Sequence, residues 1–155
     1  MSTIEINRPI PDFSLPATDE KNISLKDYKG KNIVLYFYPR DNTPGCTTES
    51  CTFEKHKKEF EKLNTVILGI SRDTVKSHEN FRKKQNLTFD LLADTEEEIC
   101  NLFNVMRDKN MYGKKVRGIE RSTFLIDANG VLIKEWRKVK VDGHVKAVLD
   151  EVKAL

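Results

Sequence analysis

Two short runs constrain this chain more than any other feature: Ile33–Tyr38 (IVLYFY) and Thr65–Ile70 (TVILGI). Both are almost unbroken apolar stretches. A strand with one wet face alternates apolar with polar residues, whereas a continuous apolar run marks a strand buried on both faces. Two such strands need a layer of structure on each side of their sheet. Cys46–Leu63 between them predicts part of that cover. Glu49, Phe53, Phe60 and Leu63 follow one another at intervals of four, seven and three, which places them on one helical face.

The rest of the chain fits the same frame. Ile10–Leu15 and Ile23–Leu25 read as short extended pieces around a polar turn, and Ser24–Lys31 as a turn closed by Gly30. A helix starts at Asp73 or Thr74 and runs to about Lys84, and Phe89–Leu92 is a third strand. Asp94–Glu97 (DTEE) has the spacing of a capping box and predicts a helix to about Phe103. Residues 105–119 lack periodicity, carry Gly113 and Gly118, and read as a surface loop. Thr123–Asp127 and Val131–Trp136 flank Ala-Asn-Gly, a hairpin signal. Val145, Val148, Leu149, Val152 and Leu155 line one face of a last helix. No repeat or linker divides the chain, which reads as one domain over residues 1–155. The fold class is α/β: a central sheet with helices on both faces and an antiparallel hairpin near its end.

Charge excludes several roles. Lys and Arg number 27 against 24 Asp and Glu, and the signs are interspersed, as in Lys55–Lys62 (KHKKEFEK). The basic stretches KVRGIER and RKVKV are too mild to predict nucleic-acid binding. No apolar run approaches the ~18 residues of a membrane span. The N-terminal MSTIEINRPIPDF has no apolar signal core, so the expected location is the cytoplasm. Three cysteines, an odd count, point to reactive or buried thiols rather than a disulfide framework. Cys100 lies on an apolar stripe and reads as a small buried residue; Trp136 reads as packing. His56 falls near the Phe53/Phe60 face without a second ligand at a metal spacing, His78 and His144 are isolated, and there is no Cys-x-x-Cys, His-x-x-x-His or Gly-rich phosphate loop. No metal and no cofactor are therefore expected.

The chemistry concentrates at Thr43-Pro44-Gly45-Cys46. The strand ends at Pro39, and Thr43-Pro44-Gly45 forces a turn ahead of the helix. Cys46 then sits in the first helical turn, where unpaired N–H groups and the positive end of the dipole stabilise an anion. Cysteines placed there are stabilised as thiolates. The Thr43 hydroxyl is placed to donate to the sulfur or to a bound oxygen, and Gly45 lets the backbone pass close to a small ligand. The plain alternative is that Cys46 fills space. Cys51 raises a geometric problem. Five helical residues rise about 7.5 Å and turn about 500°, leaving the side chains roughly 140° apart. A disulfide needs Cα atoms within about 7 Å. Either the two cysteines never pair, or the first turns unwind to let them; a semi-buried bystander is the alternative for Cys51.

The segment Pro39-Arg40-Asp41-Asn42-Thr43-Pro44-Gly45-Cys46, continuing to Glu49 and Cys51, resembles the active-site segment of the peroxiredoxins, in the variant of the bacterioferritin comigratory protein (PrxQ) group. PDFSLPATDEKNISLKDYKGKNIVLYFYP, VILGIS, FDLLAD and Arg121–Asp127 (RSTFLID) resemble further segments of that family, so the resemblance covers nearly the whole chain. It implies a thioredoxin-like fold and a dithiol peroxidase acting on hydrogen peroxide and organic hydroperoxides. Carried over residue by residue, it implies that Cys46 is the peroxidatic nucleophile and Cys51 the resolving thiol. Thr43 and Arg121 would orient the peroxide and stabilise the thiolate, Pro39 would shield the pocket, and Glu49 would support the arginine. It also implies thioredoxin as reductant and a monomer. Without the resemblance, Arg121 would read as a surface charge. Two other readings stand beside it: a thioredoxin-type disulfide reductase, whose chemistry uses Cys-x-x-Cys, and a non-catalytic redox sensor, which would not turn over.

Overall fold

The computed structural model describes residues 4–155. In chain order, β1 (Ser14–Ala17) and β2 (Lys21–Ser24) form a ribbon, followed by a 3-10 turn over Leu25–Tyr28. Next come β3 (Asn32–Phe37), α1 (Pro44–Lys55), α2 (Lys57–Lys62) and β4 (Thr65–Ser71). After them run α3 (Val75–Gln85), β5 (Asp90–Ala93) and α4 (Glu98–Leu102). The chain closes with β6 (Met106–Met111), β7 (Lys114–Ile119), β8 (Ser122–Ile126), β9 (Leu132–Trp136) and α5 (His144–Lys153).

The two apolar runs lie side by side at the centre, as their composition demands. The mixed sheet has the order β2-β1-β5-β4-β3-β8-β9. β3 pairs parallel with β4, β4 parallel with β5, and β3 antiparallel with β8. Pleating splits β3 between two cores. Val34, Tyr36 and Tyr38 face one, with Phe53, Phe60, Phe81 and Val148; Leu35 and Phe37 face the other, with Phe13, Phe103 and Phe124. Helices cover both faces unequally. α1, α2, α3 and α5 contribute to the first core, and α4 with the N-terminal segments to the second. The architecture is the expected α/β, thioredoxin-like one. Gly69 in β4 is dictated by packing. A Cβ there would lie 2.8 Å from Leu91 Cδ2 and 2.9 Å from Tyr36 Cζ and Oη.

Several boundaries differ from the sequence reading, each for a physical reason. The first helix starts at Pro44, with Thr43 as N-cap and proline at a position whose missing N–H costs nothing. It does not run unbroken to Leu63. At His56 the backbone (φ −99°, ψ 5°) separates α1 from α2, and the His56 ring pairs with Glu59 at 2.9 Å. Asp94–Glu97 does not open α4. Glu97 takes a left-handed conformation (φ 62°) and accepts from Arg72 and Arg117, while Asp94 Oδ2 accepts from the backbone N–H of Cys100 at 2.7 Å. The acidic run is a turn and the helix begins after it. Leu155 does not join the buried face of α5; it is exposed.

The largest correction concerns residues 105–119. They form a two-stranded hairpin in full register from Met106↔Ile119 to Met111↔Lys114, turning at Tyr112-Gly113 with positive φ at both residues. Among the described residues, only its base is apolar and buried, at Met106 and Ile119. Further out it is held by the backbone ladder and by polar contacts: Arg107–Glu120 at 3.0 Å, Lys109 Nζ to the Ile119 carbonyl at 2.9 Å, and Arg117–Glu97 at 3.1 Å. A ribbon that buries neither face carries no period-two apolar signal.

Candidate active site

The site is assembled where β3 hands over to α1. Tyr38 is buried and Pro39 half-buried, and the loop then turns through Asn42 (φ 64°) to Thr43. Thr43 caps the helix through its carbonyl, which accepts from the Thr47 N–H at 2.9 Å. Its hydroxyl does not donate to Cys46, as the sequence suggested; its hydrogen goes to the Arg40 carbonyl at 2.9 Å, which tightens the loop. Pro44 has no N–H, so the N–H groups of Gly45 and Cys46 are left at the positive end of the helix without an intrahelical partner. Cys46 is fully buried beside Tyr36 and Phe53 in the first core.

Arg121 immediately precedes β8, which pairs with β3, and this register carries its side chain to the start of α1. Nη2 lies 3.4 Å from Cys46 Sγ, and Nη1 donates to Glu49 Oε1 at 2.7 Å. One planar guanidinium thus spans the sulfur and a carboxylate one helical turn further on. Gly45 leaves room for it. A Cβ there would sit 3.1 Å from Arg121 Nη2. Glu49 is wholly buried, and its Oε2 has no hydrogen-bond partner among the described residues. Burial pushes the Glu49 carboxyl up to about 7, although Arg121 pulls it down. Burial alone would lower Arg121, but Glu49 and Cys46 outweigh that and hold its proton more firmly.

Cys51 sits further along the same unbroken helix, half-buried, and its thiol lies 3.6 Å from Gln85 Oε1 at the end of α3. Burial and the nearby Glu54 carboxylate raise it, so it is held as a protonated thiol. All three cysteines are free thiols. Cys100 is fully buried, and burial and then Asp94 push its thiol strongly upward, in keeping with a packing role. The structure therefore brings Cys46, Glu49 and Arg121 into contact, with Thr43 and Pro39 on the adjoining loop and Cys51 further along α1.

Two histidines that looked isolated are built into the same neighbourhood. His144 at the start of α5 has Nε2 2.7 Å from Thr123 Oγ1 on β8, and its ring meets Phe53 and Trp136 edge-on. Burial and the Arg121 charge lower it to about 4, so it is neutral at pH 7. His78 is buried against Asp41 of the active loop. Among the described residues, Asp41, Asp73 and His78 form one group with ligand atoms within 4.8 Å of one another, a cluster the sequence spacing did not reveal. Nothing local announces it, because His78 and Asp41 are 37 positions apart.

A fold of this type with a cysteine on the first turn of α1, an arginine spanning that sulfur and a buried glutamate, and a second free thiol on the same helix, has the architecture of a thiol peroxidase. Comparison with known proteins agrees. The AhpC/TSA family matches residues 6–135. Peroxiredoxin Bcp of Bacillus subtilis is 51% identical, over 97% of this chain and 96% of that one. Peroxiredoxin Bcp of Xanthomonas campestris is 47% identical, over 99% and 98%. Among solved structures, a cysteine-to-serine mutant of Xylella fastidiosa PrxQ superposes with a TM-score of 0.93 at 42% identity, covering 99% of this chain and 98% of that one. The chain belongs to the AhpC/TSA family, and within it to the Bcp (PrxQ) group of peroxiredoxins. It is a peroxidase that works through a thiol. Among the described residues, no helix is long and apolar enough to cross a membrane.

Proposed function

We propose that Cys46 is the peroxidatic thiol, Cys51 the resolving thiol, and thioredoxin the reductant, in a monomeric single-domain enzyme of the cytoplasm. The observation that carries this reading is the approach of Arg121 Nη2 to Cys46 Sγ at 3.4 Å, braced by Glu49 at 2.7 Å. The Cys46 thiolate attacks the terminal oxygen of a hydroperoxide. The S–O bond forms as the O–O bond breaks, the sulfur is oxidised to sulfenic acid, and the departing oxygen takes a proton to leave as water or an alcohol. Arg121 meets the negative charge that grows on that oxygen. Thr43 and Pro39 shape the loop side of the pocket, and Glu49 fixes the guanidinium plane. The Cys51 thiol then condenses with the sulfenic acid, releasing water and forming a Cys46–Cys51 disulfide, which a dithiol reductant reopens. Hydrogen peroxide and organic hydroperoxides are the substrates. Structures of Xanthomonas campestris Bcp concern that protein's alkyl peroxide reduction activity, which supports including the organic class.

The test is peroxide-dependent NADPH oxidation in the presence of thioredoxin and thioredoxin reductase. Wild type turns over, and Cys46→Ser, still folded by circular dichroism, does not. Substantial turnover by purified Cys46→Ser removes Cys46 from the nucleophile role. A single equivalent of peroxide consumed without turnover identifies a sensor instead.

A further inference from the structure

The loop that delivers Thr43 and Cys46 is held by a buried polar cluster outside the thiol site. Asp41 lies on that loop, and its side chain is 1% exposed. Tyr38 Oη donates to Asp41 Oδ1 at 2.6 Å, and Ser77 Oγ donates to Oδ2 at 2.8 Å. His78 Nδ1 lies 2.8 Å from the same Oδ2. The Asp41 N–H donates to Asp73 Oδ2 at 2.8 Å, which also accepts from Ser71 Oγ at 2.6 Å. The His78 ring is fully buried on α3, and its Nε2 lies 2.8 Å from the Leu92 carbonyl on β5.

The acceptors fix where the hydrogens are. The Leu92 carbonyl oxygen only accepts, so Nε2 carries a hydrogen. Nδ1 and Asp41 Oδ2, 2.8 Å apart, share one hydrogen between them. Tyr38 does not compete for it, because its hydroxyl hydrogen is given to Asp41 Oδ1 at 2.6 Å and its oxygen is 3.3 Å from Nδ1. The titratable groups facing the ring are Asp41 from the loop, Asp73 from the turn before α3, and Tyr38 from the end of β3. A buried polar pair is tolerated when its lone pairs and protons are satisfied, and removing one partner leaves the other unsatisfied. Here Asp41 is saturated by Tyr38, Ser77 and His78.

We propose that His78 is a positioning residue for peroxide reduction: the buried His78 ring, held between Asp41 and the Leu92 carbonyl, fixes the loop that aims Thr43 and Cys46. The pair ties this loop to α3 and β5, so it holds the catalytic turn against the sheet independently of Arg121. The inference rests on the reading of Cys46 as the peroxidatic thiol.

Imidazole-nitrogen NMR of the isotope-labelled, reduced protein tests the pair without any activity measurement. In the wild type Nε2 should bear a hydrogen and Nδ1 should carry the shift of a hydrogen-bonded nitrogen. Their signals are assigned by their loss in His78→Gln. Asp41→Asn changes the group facing Nδ1 and should move the Nδ1 signal while leaving Nε2 in place. Rapid mixing with hydrogen peroxide should show Cys46 oxidised about ten- to a hundredfold more slowly in His78→Gln, the loss that a small misplacement of a reacting group produces. If His78→Gln does not fold, Asp41→Asn takes its place in the rate measurement. Ring-nitrogen signals of a free, averaging imidazole in the wild type overturn the proposal. So does a wild-type rate in a folded variant, or recovery of one equivalent of divalent metal that His78→Gln no longer holds. Should Cys46→Ser retain turnover, the thiol assignment fails while the nitrogen spectrum still reports on the pair.

Discussion

Glu49→Gln isolates the one carboxyl whose proton the fold most strongly retains. Glu49 is wholly buried, and burial raises it from 4.5 to about 7 against the pull of Arg121. The folded protein therefore binds a proton that the unfolded chain has already released. Stability from this group is fully present below about pH 4.5 and is lost as pH rises through about 7. At about 1.4 kcal/mol per pH unit, that interval corresponds to a loss of about 3 kcal/mol. His144 works in the opposite sense. Burial and Arg121 lower it from 6.5 to about 4, so its contribution is present above pH 6.5 and is lost as pH falls toward 4. Over the shared window the two slopes oppose each other, and the wild-type curve hides both. The replacement amide keeps an oxygen to accept from Arg121 but has no acid to titrate. Urea unfolding of the reduced proteins, at pH steps from about 4.5 to about 8 and constant ionic strength, gives the difference directly. Relative to wild type, Glu49→Gln should gain about 3 kcal/mol across that range, and its own stability should rise with pH where the wild type is flat. A difference that stays constant within about 0.5 kcal/mol would refute the reasoning and mean that Glu49 titrates alike in both states.

Arg121→Lys keeps the charge but loses the fork that spans Cys46 and Glu49, and should lower the peroxide rate constant by about tenfold or more in stopped flow; a wild-type rate in both Arg121→Lys and Arg121→Ala would make Arg121 a surface charge. Gly69→Ala places a Cβ 2.8–2.9 Å from Leu91 and Tyr36, and should cost about 1–3 kcal/mol in denaturant unfolding. One equivalent of peroxide should give an intramolecular Cys46–Cys51 disulfide by peptide mapping. Backbone hydrogen exchange should speed up over Thr47–Thr52 and change little beyond Phe60; a bond to Cys100 or between chains would make Cys51 a bystander.

The parts of this protein legible in its sequence are those written in contiguous residues. β3 and β4 declare themselves because a strand buried on both faces has no polar positions to lose. The turn that carries Cys46 does so because Pro44 and Gly45 fix a helix start just where that cysteine stands. Arg121 was readable only through resemblance, since its place beside Cys46 depends on the β3–β8 register, across 75 positions of chain. The Asp41–His78 pair was not readable at all. A histidine's value there comes from a carboxylate and a carbonyl on two other elements. The β6–β7 hairpin was missed for the converse reason: its strands pair without burying a face, so pairing leaves no trace in composition.

The arrangement of α1 also bears on how a helix that keeps the two thiols apart could serve the proposed reaction that joins them. Cys46 and Cys51 both lie within the unbroken span Pro44–Lys55. Its far half is pinned: Cys51 meets Gln85, Glu54 accepts from both the N–H and the hydroxyl of Thr88 at 2.7 Å, and Phe53 stacks on Tyr36 at 4.6 Å. Its near half is looser. Thr48 and Thr52 turn their hydroxyls back onto the Pro44 and Thr48 carbonyls, a bond that bends helices and weakens them. Arg121 bridges the first turn from outside, between the Cys46 sulfur and Glu49. On the proposed chemistry, oxidation alters the sulfur that Arg121 contacts in the reduced protein, and the turn that would have to unwind is the one with the weakened backbone bonds rather than the pinned half.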